Sequence, residues 1–372
     1  MTDSALFTPF EIGGRKLGHR IVMAPVTRMR AEPAGNFARE VNAKYYAQRA
    51  TSGGFMVAEG SQVVPEGQGY PATPGIHSQE QVAGWRKVTT AVHEKGGVIF
   101  LQLWHVGRVS HSSFQPNGAP PVSASAVPAA GDHFTASWGR APFDVPRPLE
   151  ISEIAEIVQA FRTGAHNAMA AGFDGVELHG ANGYLFEQFL QSHTNLRTDK
   201  YGGSIANRSR LLLETVDALI EEVGADRVGV RLSPFGTSNN MGEPDPLPLY
   251  SQVISALAER GPAYLHLIEG RANVAPKPDG SPASTQSASE LFREIWPRTL
   301  IAAGGYDAQT AEQAVRDGYA DAVAFGRSFI SNPDLVERIR VGAELTPWDR
   351  STFYGGDEQG YTDYPTYRSL AA

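Results

Sequence analysis

The stretch His179-Gly180-Ala181-Asn182-Gly183-Tyr184 places two side-chain N–H donors and a phenol within six residues. If the chain turns helically there, positions 179 and 182 (i and i+3) share a face and aim both donors at one point. That geometry suits a carbonyl oxygen gaining negative charge, and Tyr184 then lies close enough to act as the proton source. Taken singly, His179 reads equally as a tautomer-fixed structural histidine and Tyr184 as a half-buried core aromatic. Together at the end of a strand they read as a site. Metal binding is not expected of this set, because no second His or carboxylate stands at ligand spacing and Asn is a poor zinc ligand. His105 and His111 form no recognised metal motif either.

A second group offers an anion site. Ala303-Gly304-Gly305 and Phe325-Gly326-Arg327 end two apolar runs, where glycines let backbone N–H groups approach a phosphate and Arg327 offers a forked donor. A proton donor beside carbonyl-polarising donors describes half of a reduction. No side chain supplies a hydride, so the other half requires a cofactor. No G-x-G-x-x-G follows a strand, which disfavours an intrinsic dinucleotide fold. One phosphate at Gly305, Gly326 and Arg327, with Thr27, Gln102 and Arg231 around a ring, fits FMN instead.

Positioning these groups falls to a regular alternation. Short apolar runs recur at Ile21–Ala24, Phe55–Ala58, Val98–Leu103, Gly175–Leu178, Val228–Leu232, Tyr264–Ile268, Leu300–Ala302 and Ala322–Phe325. Helix-length segments with 3.6-type apolar spacing follow them, at Glu40–Ser52, Gln79–Lys95, Glu150–Ala171, Ile205–Val223, Leu249–Arg260, Ala288–Trp296, Asp307–Asp317 and Pro333–Arg340. Strands apolar on both faces and separated by helices make a parallel sheet, and eight units close it into a (β/α)8 TIM barrel. In that fold chemistry sits at the strand C-termini, where Thr27, Gln102, Trp104, His179 and Arg231 all fall.

Three segments lie outside the alternation. Residues 6–17 read as a β-hairpin about Gly13-Gly14 that caps the barrel floor. Residues 105–149, an insertion after the third strand, carry Pro116, Pro120, Pro121, Pro128, Pro142, Pro146 and Pro148. That stretch cannot be helical and reads as a lid over a site. The tail from Gly342, rich in Tyr and Gly, is expected to fold back over the barrel. The whole chain, 1–372, reads as one barrel domain.

Composition sets the class. Lys and Arg total 32 against 40 Asp and Glu, a formal charge of −8, with no basic block. That balance argues against a nucleic-acid partner or an anionic membrane surface. With no Cys, thiolate nucleophiles, disulfides and iron–sulfur clusters are excluded. The N-terminus lacks the apolar core of a signal peptide, and no run approaches ~18 apolar residues. A cytoplasmic protein, monomer or homodimer, acting on small molecules is expected.

At this point the motifs themselves resemble the old yellow enzyme family of FMN-dependent ene-reductases, over nearly the whole chain. The resemblance runs through Met23-Ala24-Pro25-Val26-Thr27-Arg28, Leu101-Gln102-Leu103-Trp104-His105, Val176 to Leu185, Arg197-Thr198-Asp199-x-Tyr201-Gly202-Gly203-Ser204 and Ala324-Phe325-Gly326-Arg327. It implies an NADPH- or NADH-driven reductase of activated C=C bonds, in α,β-unsaturated carbonyls and nitroalkenes, with nitroesters and quinones as further acceptors. It also implies that Thr27 hydrogen-bonds the flavin O4 edge, Gln102 the pyrimidine edge, and Arg231 the N1/O2 region where reduced flavin carries negative charge. Pro25, Val26, Gly60, Gly304, Gly305, Gly326 and Arg327 complete the expected FMN contacts. His179 and Asn182 are implied to bind the activating oxygen and Tyr184 to protonate the α-carbon, with Tyr70, Trp104 and Tyr354 walling the substrate cavity. Asn182 stands where some relatives carry a second His, and Thr27 where another branch has Cys, so the chain resembles the compact bacterial-type branch.

Two other readings stand beside it. The rival enzyme is a phosphate-binding barrel aldolase or isomerase; a Schiff-base aldolase needs a strand-borne lysine, and Lys16, Lys44, Lys87, Lys95, Lys200 and Lys277 all fall outside the eight strands. A non-enzymatic flavin carrier keeps the phosphate site and leaves His179, Asn182 and Tyr184 unexplained.

Overall fold

Each of the eight apolar runs forms a strand buried at nearly every position: β1 (Ile21–Met23), β2 (Phe55–Gln62), β3 (Val98–Trp104), β4 (Gly175–Gly180), β5 (Val228–Leu232), β6 (Tyr264–Ile268), β7 (Thr299–Ala303) and β8 (Ala322–Phe325). The computed structural model describes residues 4–272, 277, 278, 280 and 283–370. The strands pair in parallel in sequence order, and β8 returns to β1, with Phe325 opposite Met23, to close the barrel. Closure removes the edges that would otherwise expose unpaired N–H and C=O groups.

The barrel interior below the site is filled rather than hollow. Phe55, Phe100 and Tyr264 meet there at ring-centroid distances of 5.1–5.8 Å. Ile12 and Leu17, from the hairpin Phe10–Ile12/Arg15–Leu17, pack into the same cluster. Gly13 and Gly14 turn that hairpin with φ of +53° and +76°, values that an L side chain adopts at a cost.

The helical layer differs from the periodicity chiefly in three places, one being the helix expected over Ala288–Trp296, which ends at Phe292. The expected helix 205–223 is broken at Ser209 into Ile205–Arg208 and Arg210–Val223, preceded by an extra turn of helix at Leu185–Leu190. After β8 a short helix, Arg327–Ser331, comes before Leu335–Val341, because Pro333 disfavours helical geometry at Asn332 and splits the segment. Arg327 therefore opens a helix instead of sitting in a loop.

The insertion contains no α-helix, as its prolines require. It is built from two 3₁₀ turns, a parallel pairing of Val122–Ser123 with Arg147–Pro148, and a hairpin of Asp132–Phe134 with Arg140–Pro142. The tail folds back as expected, held by arginines early in the chain. Arg28, Arg30 and Arg49, none more than 2% exposed, donate to the carbonyls of Phe353 and Gly360, of Thr352 and Gln359, and of Tyr361 respectively. The Tyr361 ring stacks on Tyr45 at 4.0 Å. A guanidinium fork can serve several carbonyls at once, and two surface ion pairs, Arg39 with Asp357 and Lys44 with Glu358, add to the hold on the strap. No helix among the described residues is long and apolar enough to cross a membrane.

Candidate active site

At the C-terminal mouth of the barrel lies a cavity of about 470 Å³. Eleven of the expected site residues line it: Pro25, Val26, Thr27, Tyr70, Gln102, His179, Asn182, Tyr184, Arg231, Arg327 and Tyr354. Gly60, Trp104, Gly304, Gly305 and Gly326 are not in that lining. Trp104 is buried behind it, stacked on Tyr70 at 5.6 Å and edge-on to Tyr184 at 4.9 Å. Gly60 sits where the β2–β3 register shifts, and a Cβ there would lie 2.8 Å from the Trp104 indole. Its lack of a side chain makes room for that ring.

The donor pair comes together by a route other than the expected helical turn. Asn182 and Gly183 both adopt left-handed conformations, with φ of +59° and +80°. Asn is among the few side chains that tolerate this region, and the reversal returns Asn182 to the wall that carries His179. The Asn182 N–H donates to Ser233 Oγ at 2.9 Å, and its carbonyl accepts from Asn239 Nδ2 at 2.7 Å. His179 Nδ1 accepts from the Ala181 N–H at 3.4 Å, which leaves the hydrogen of a neutral ring on Nε2. Burial, with Arg231 and His266 nearby, holds the imidazole pKa well below its usual value. The ring is thus a neutral donor. Tyr184 Oη lies 3.2 Å from Tyr70 Oη, and its pKa is driven well above 10 by burial and by Tyr70 and Tyr354, against a hydrogen bond from Asn239. It keeps its proton until a stronger base forms beside it.

Beside His179, on the same strand and on its neighbour, stands a charged network. Glu177 in β4 accepts from Gln102 Nε2 (2.8 Å), Tyr264 Oη (3.1 Å) and His266 Nδ1 (2.8 Å). Burial pushes its carboxyl up, but His266 and Arg231 with the hydrogen bonds outweigh this and leave it below the ordinary carboxylate range. Arg231 is buried at 8% exposure, makes no hydrogen bond among the described residues, and its Nε is sealed from solvent. A guanidinium left unsatisfied beside a cavity is a costly arrangement that an electron-rich ligand edge would relieve.

The ends of β7 and β8 are neighbours, with Ala303 paired to Ala324. Gly304 and Gly305 follow with φ of +102° and +72°, and a Cβ on Gly326 would press on Val26 at 3.2 Å. Arg327 lies with its guanidinium 5.7 Å from the Trp348 ring and has no carboxylate partner among the described residues. Arg271, which donates to the Gly304 carbonyl and lies 4.0 Å from the Tyr306 ring, adds a second cation there. These groups fit a phosphate, and with Arg231 the cavity's donor set fits FMN.

Sequence reasoning missed the supports. Glu177 and His266 were visible as ionisable residues inside apolar strands, which ought to mark an inward-facing polar network. Trp348, Arg350 and Phe353, which line the cavity from the tail, had no local signal, because only the fold-back brings them there.

Comparison with known proteins identifies a family. The family model described as "NADH:flavin oxidoreductase / NADH oxidase family" matches residues 5–346. The chain is 46% identical over 364 residues to 12-oxophytodienoate reductase 1 of Oryza sativa subsp. japonica, covering 97% of this chain and 92% of that protein. It is 44% identical to 12-oxophytodienoate reductase 2 of Arabidopsis thaliana, covering 98% and 96%. Among solved structures, morphinone reductase in complex with tetrahydroNAD superposes with a TM-score of 0.89 at 46% identity, covering 98% of both chains. The old yellow enzyme homologue from Zymomonas mobilis gives 0.91 at 39%, covering 97% and 99%.

Proposed function

The chain belongs to the NADH:flavin oxidoreductase / NADH oxidase family, the old yellow enzyme family, and from that premise we propose that it binds one FMN non-covalently and reduces activated C=C bonds with hydride from NADPH or NADH. The acceptors are α,β-unsaturated carbonyls and nitroalkenes, with nitroesters and quinones as further oxidants. One observation carries the reading: a cavity that presents neutral His179, Asn182 and the protonated Tyr184 together with Arg231, the neighbour of His179 on the next strand, buried and with its Nε unpartnered.

Thr27, Gln102 and Arg231 would hold the flavin ring and Arg327 its phosphate. Bound there, FMN supplies the hydride. The chain's own groups do the rest. His179 Nε2–H and the Asn182 amide bind the carbonyl or nitro oxygen and stabilise the charge that develops on it. Tyr184 Oη gives its proton to the α-carbon, and Tyr70 Oη, 3.2 Å away, steadies the phenol. Tyr70 and Tyr354 narrow the entrance, which limits water at the reacting centre.

Tyr184→Phe tests the assignment, since it deletes only the hydroxyl. Enone reduction is expected to slow by about 10²–10⁴-fold, while flavin bleaching by nicotinamide and re-oxidation by a quinone stay near the parent rate. Equal losses in both half-reactions, followed by stopped flow, would remove Tyr184 from the proton-donor role.

A further inference from the structure

The left-handed turn that presents Asn182 is closed by one bond of its own, from the Tyr184 N–H to the Ala181 carbonyl at 3.3 Å, and the group that anchors it to its surroundings is a carboxylate outside the cavity. Glu187, in the helix Leu185–Leu190, is fully buried. Its Oε2 accepts from the Gly183 N–H at 2.6 Å. Its Oε1 accepts from Ser233 Oγ at 2.8 Å, and that same Oγ accepts the Asn182 N–H at 2.9 Å. Tyr250 Oη (2.8 Å) and Gln191 Nε2 (3.2 Å) complete its donors from the far side. Two successive N–H groups of the turn, one direct and one relayed, therefore end on a single side chain.

Asn182 and Gly183 stand consecutively at positive φ, as in a type I′ turn, which the Tyr184 N–H closes on the Ala181 carbonyl. That bond shapes the turn but does not tie it to the barrel, which the carboxylate and Ser233 do. The space is closed as well, since a Cβ on Gly183 would sit 2.7 Å from the Ser238 carbonyl. Resting on the substrate-binding reading of His179 and Asn182, we infer that Glu187 and Ser233 form the positioning unit that fixes the Asn182 amide beside His179, and so set affinity for the substrate's activating oxygen. Neither residue lines the cavity. The carboxylate acts only through the backbone it holds, so its effect should appear in oxygen binding and not in the flavin.

Ser233→Ala cuts the relay, and Tyr250→Phe removes a hydroxyl from the same carboxylate without touching the turn. The probe is 4-nitrophenol, whose phenolate oxygen imitates the charge on the activating oxygen, titrated into the flavin-loaded protein by calorimetry. Ser233→Ala is expected to weaken phenol binding by roughly 3- to 10-fold, the worth of one buried hydrogen bond, and to raise the enone KM. Flavin bleaching by nicotinamide should not change, and Tyr250→Phe should match the parent in phenol affinity while losing comparable thermal stability. If Ser233→Ala does not accumulate, Glu187→Gln takes its place with the same expectation. Phenol affinities that are equal in Ser233→Ala and Tyr250→Phe would overturn the positioning role and leave the substrate reading intact. A parent protein that binds no phenol would overturn that reading and this inference together.

Discussion

Glu177 and Glu187 lie ten residues apart on either side of the His179–Tyr184 turn, and both are fully buried, yet their surroundings drive them in opposite directions. Glu177 faces Arg231 and His266, and their attraction holds it below the ordinary carboxylate range in spite of burial. Glu187 meets only neutral donors, and burial pushes it up to about 7 against the hydrogen bonds from Gly183, Tyr250, Ser233 and Gln191. The same side chain thus does two jobs. Where the flavin is proposed to lie, a carboxylate pairs with His266 and orients Gln102. Beside the turn proposed to meet the substrate it serves as an acceptor hub for backbone. The difference teaches that one buried carboxylate is held by charge and the other by neutral hydrogen bonds, and on the proposed reading these meet an electron-rich ring edge and a substrate oxygen respectively.

The largest way to break this contrast is Glu177→Ala. It removes the acceptor shared by Gln102, Tyr264 and His266 and the charge that attracts Arg231, and each buried donor left unpaired costs about 1–3 kcal/mol, to be read as a drop in the urea midpoint of the flavin-free protein. A loss below about 1 kcal/mol, the size typical of an exposed pair, would show that these buried groups do not depend on Glu177. Next in size, Arg327→Ala removes a charge-assisted contact worth about 1.5–3 kcal/mol, so FMN should dissociate more readily while 4-nitrophenol binding to the flavin-saturated variant holds. Unchanged FMN affinity would move the phosphate elsewhere.

The smallest effect sharpens the comparison through pH. The folded pKa of Glu187 lies near 7, above its ordinary 4.5, so its share of stability is full below about 4.5 and is lost as pH rises toward 7. Glu177 is shifted the other way, so its share is present above about 4.5 and is lost as pH falls through its folded pKa. Glu187→Gln, which imitates the protonated acid, should therefore cost less stability at about pH 8 than at about pH 4, and Glu177→Gln the reverse. Denaturant midpoints that move in the same direction for both variants would show that the two carboxylates are not differently charged.

Much of this was legible in the sequence because it depends on local pattern. Strands such as Val228–Leu232 and Tyr264–Ile268 match their apolar runs residue for residue, since a strand buried on both faces can hardly hide its composition. The polar residues at the strand ends followed from the fold, because a barrel puts its chemistry there. Asn182-Gly183 is itself a local signal for a left-handed type I′ turn, which a helical reading of the stretch passes over. What failed was placement imposed from a distance: the contacts from Ser233, Asn239 and Glu187 that seat the turn leave no mark at positions 181–184. The tail residues Trp348 and Arg350 reach the cavity because Arg28 and Arg30 bind carbonyls more than 300 positions away. Glu177 lies between the two cases: its oddity as an acid among apolar neighbours is local, while its partners come from three other strands.

The central claim, that the cavity joins a flavin to an enone through His179, Asn182 and Tyr184, is tested most directly by anaerobic stopped flow on the purified parent protein. Flavin absorbance is expected to bleach on mixing with NADPH or NADH and to return on mixing with 2-cyclohexenone, with cyclohexanone formed in equal amount. A colourless protein, or one whose bleached flavin recovers with oxygen or a quinone but leaves the enone unchanged, would contradict the account.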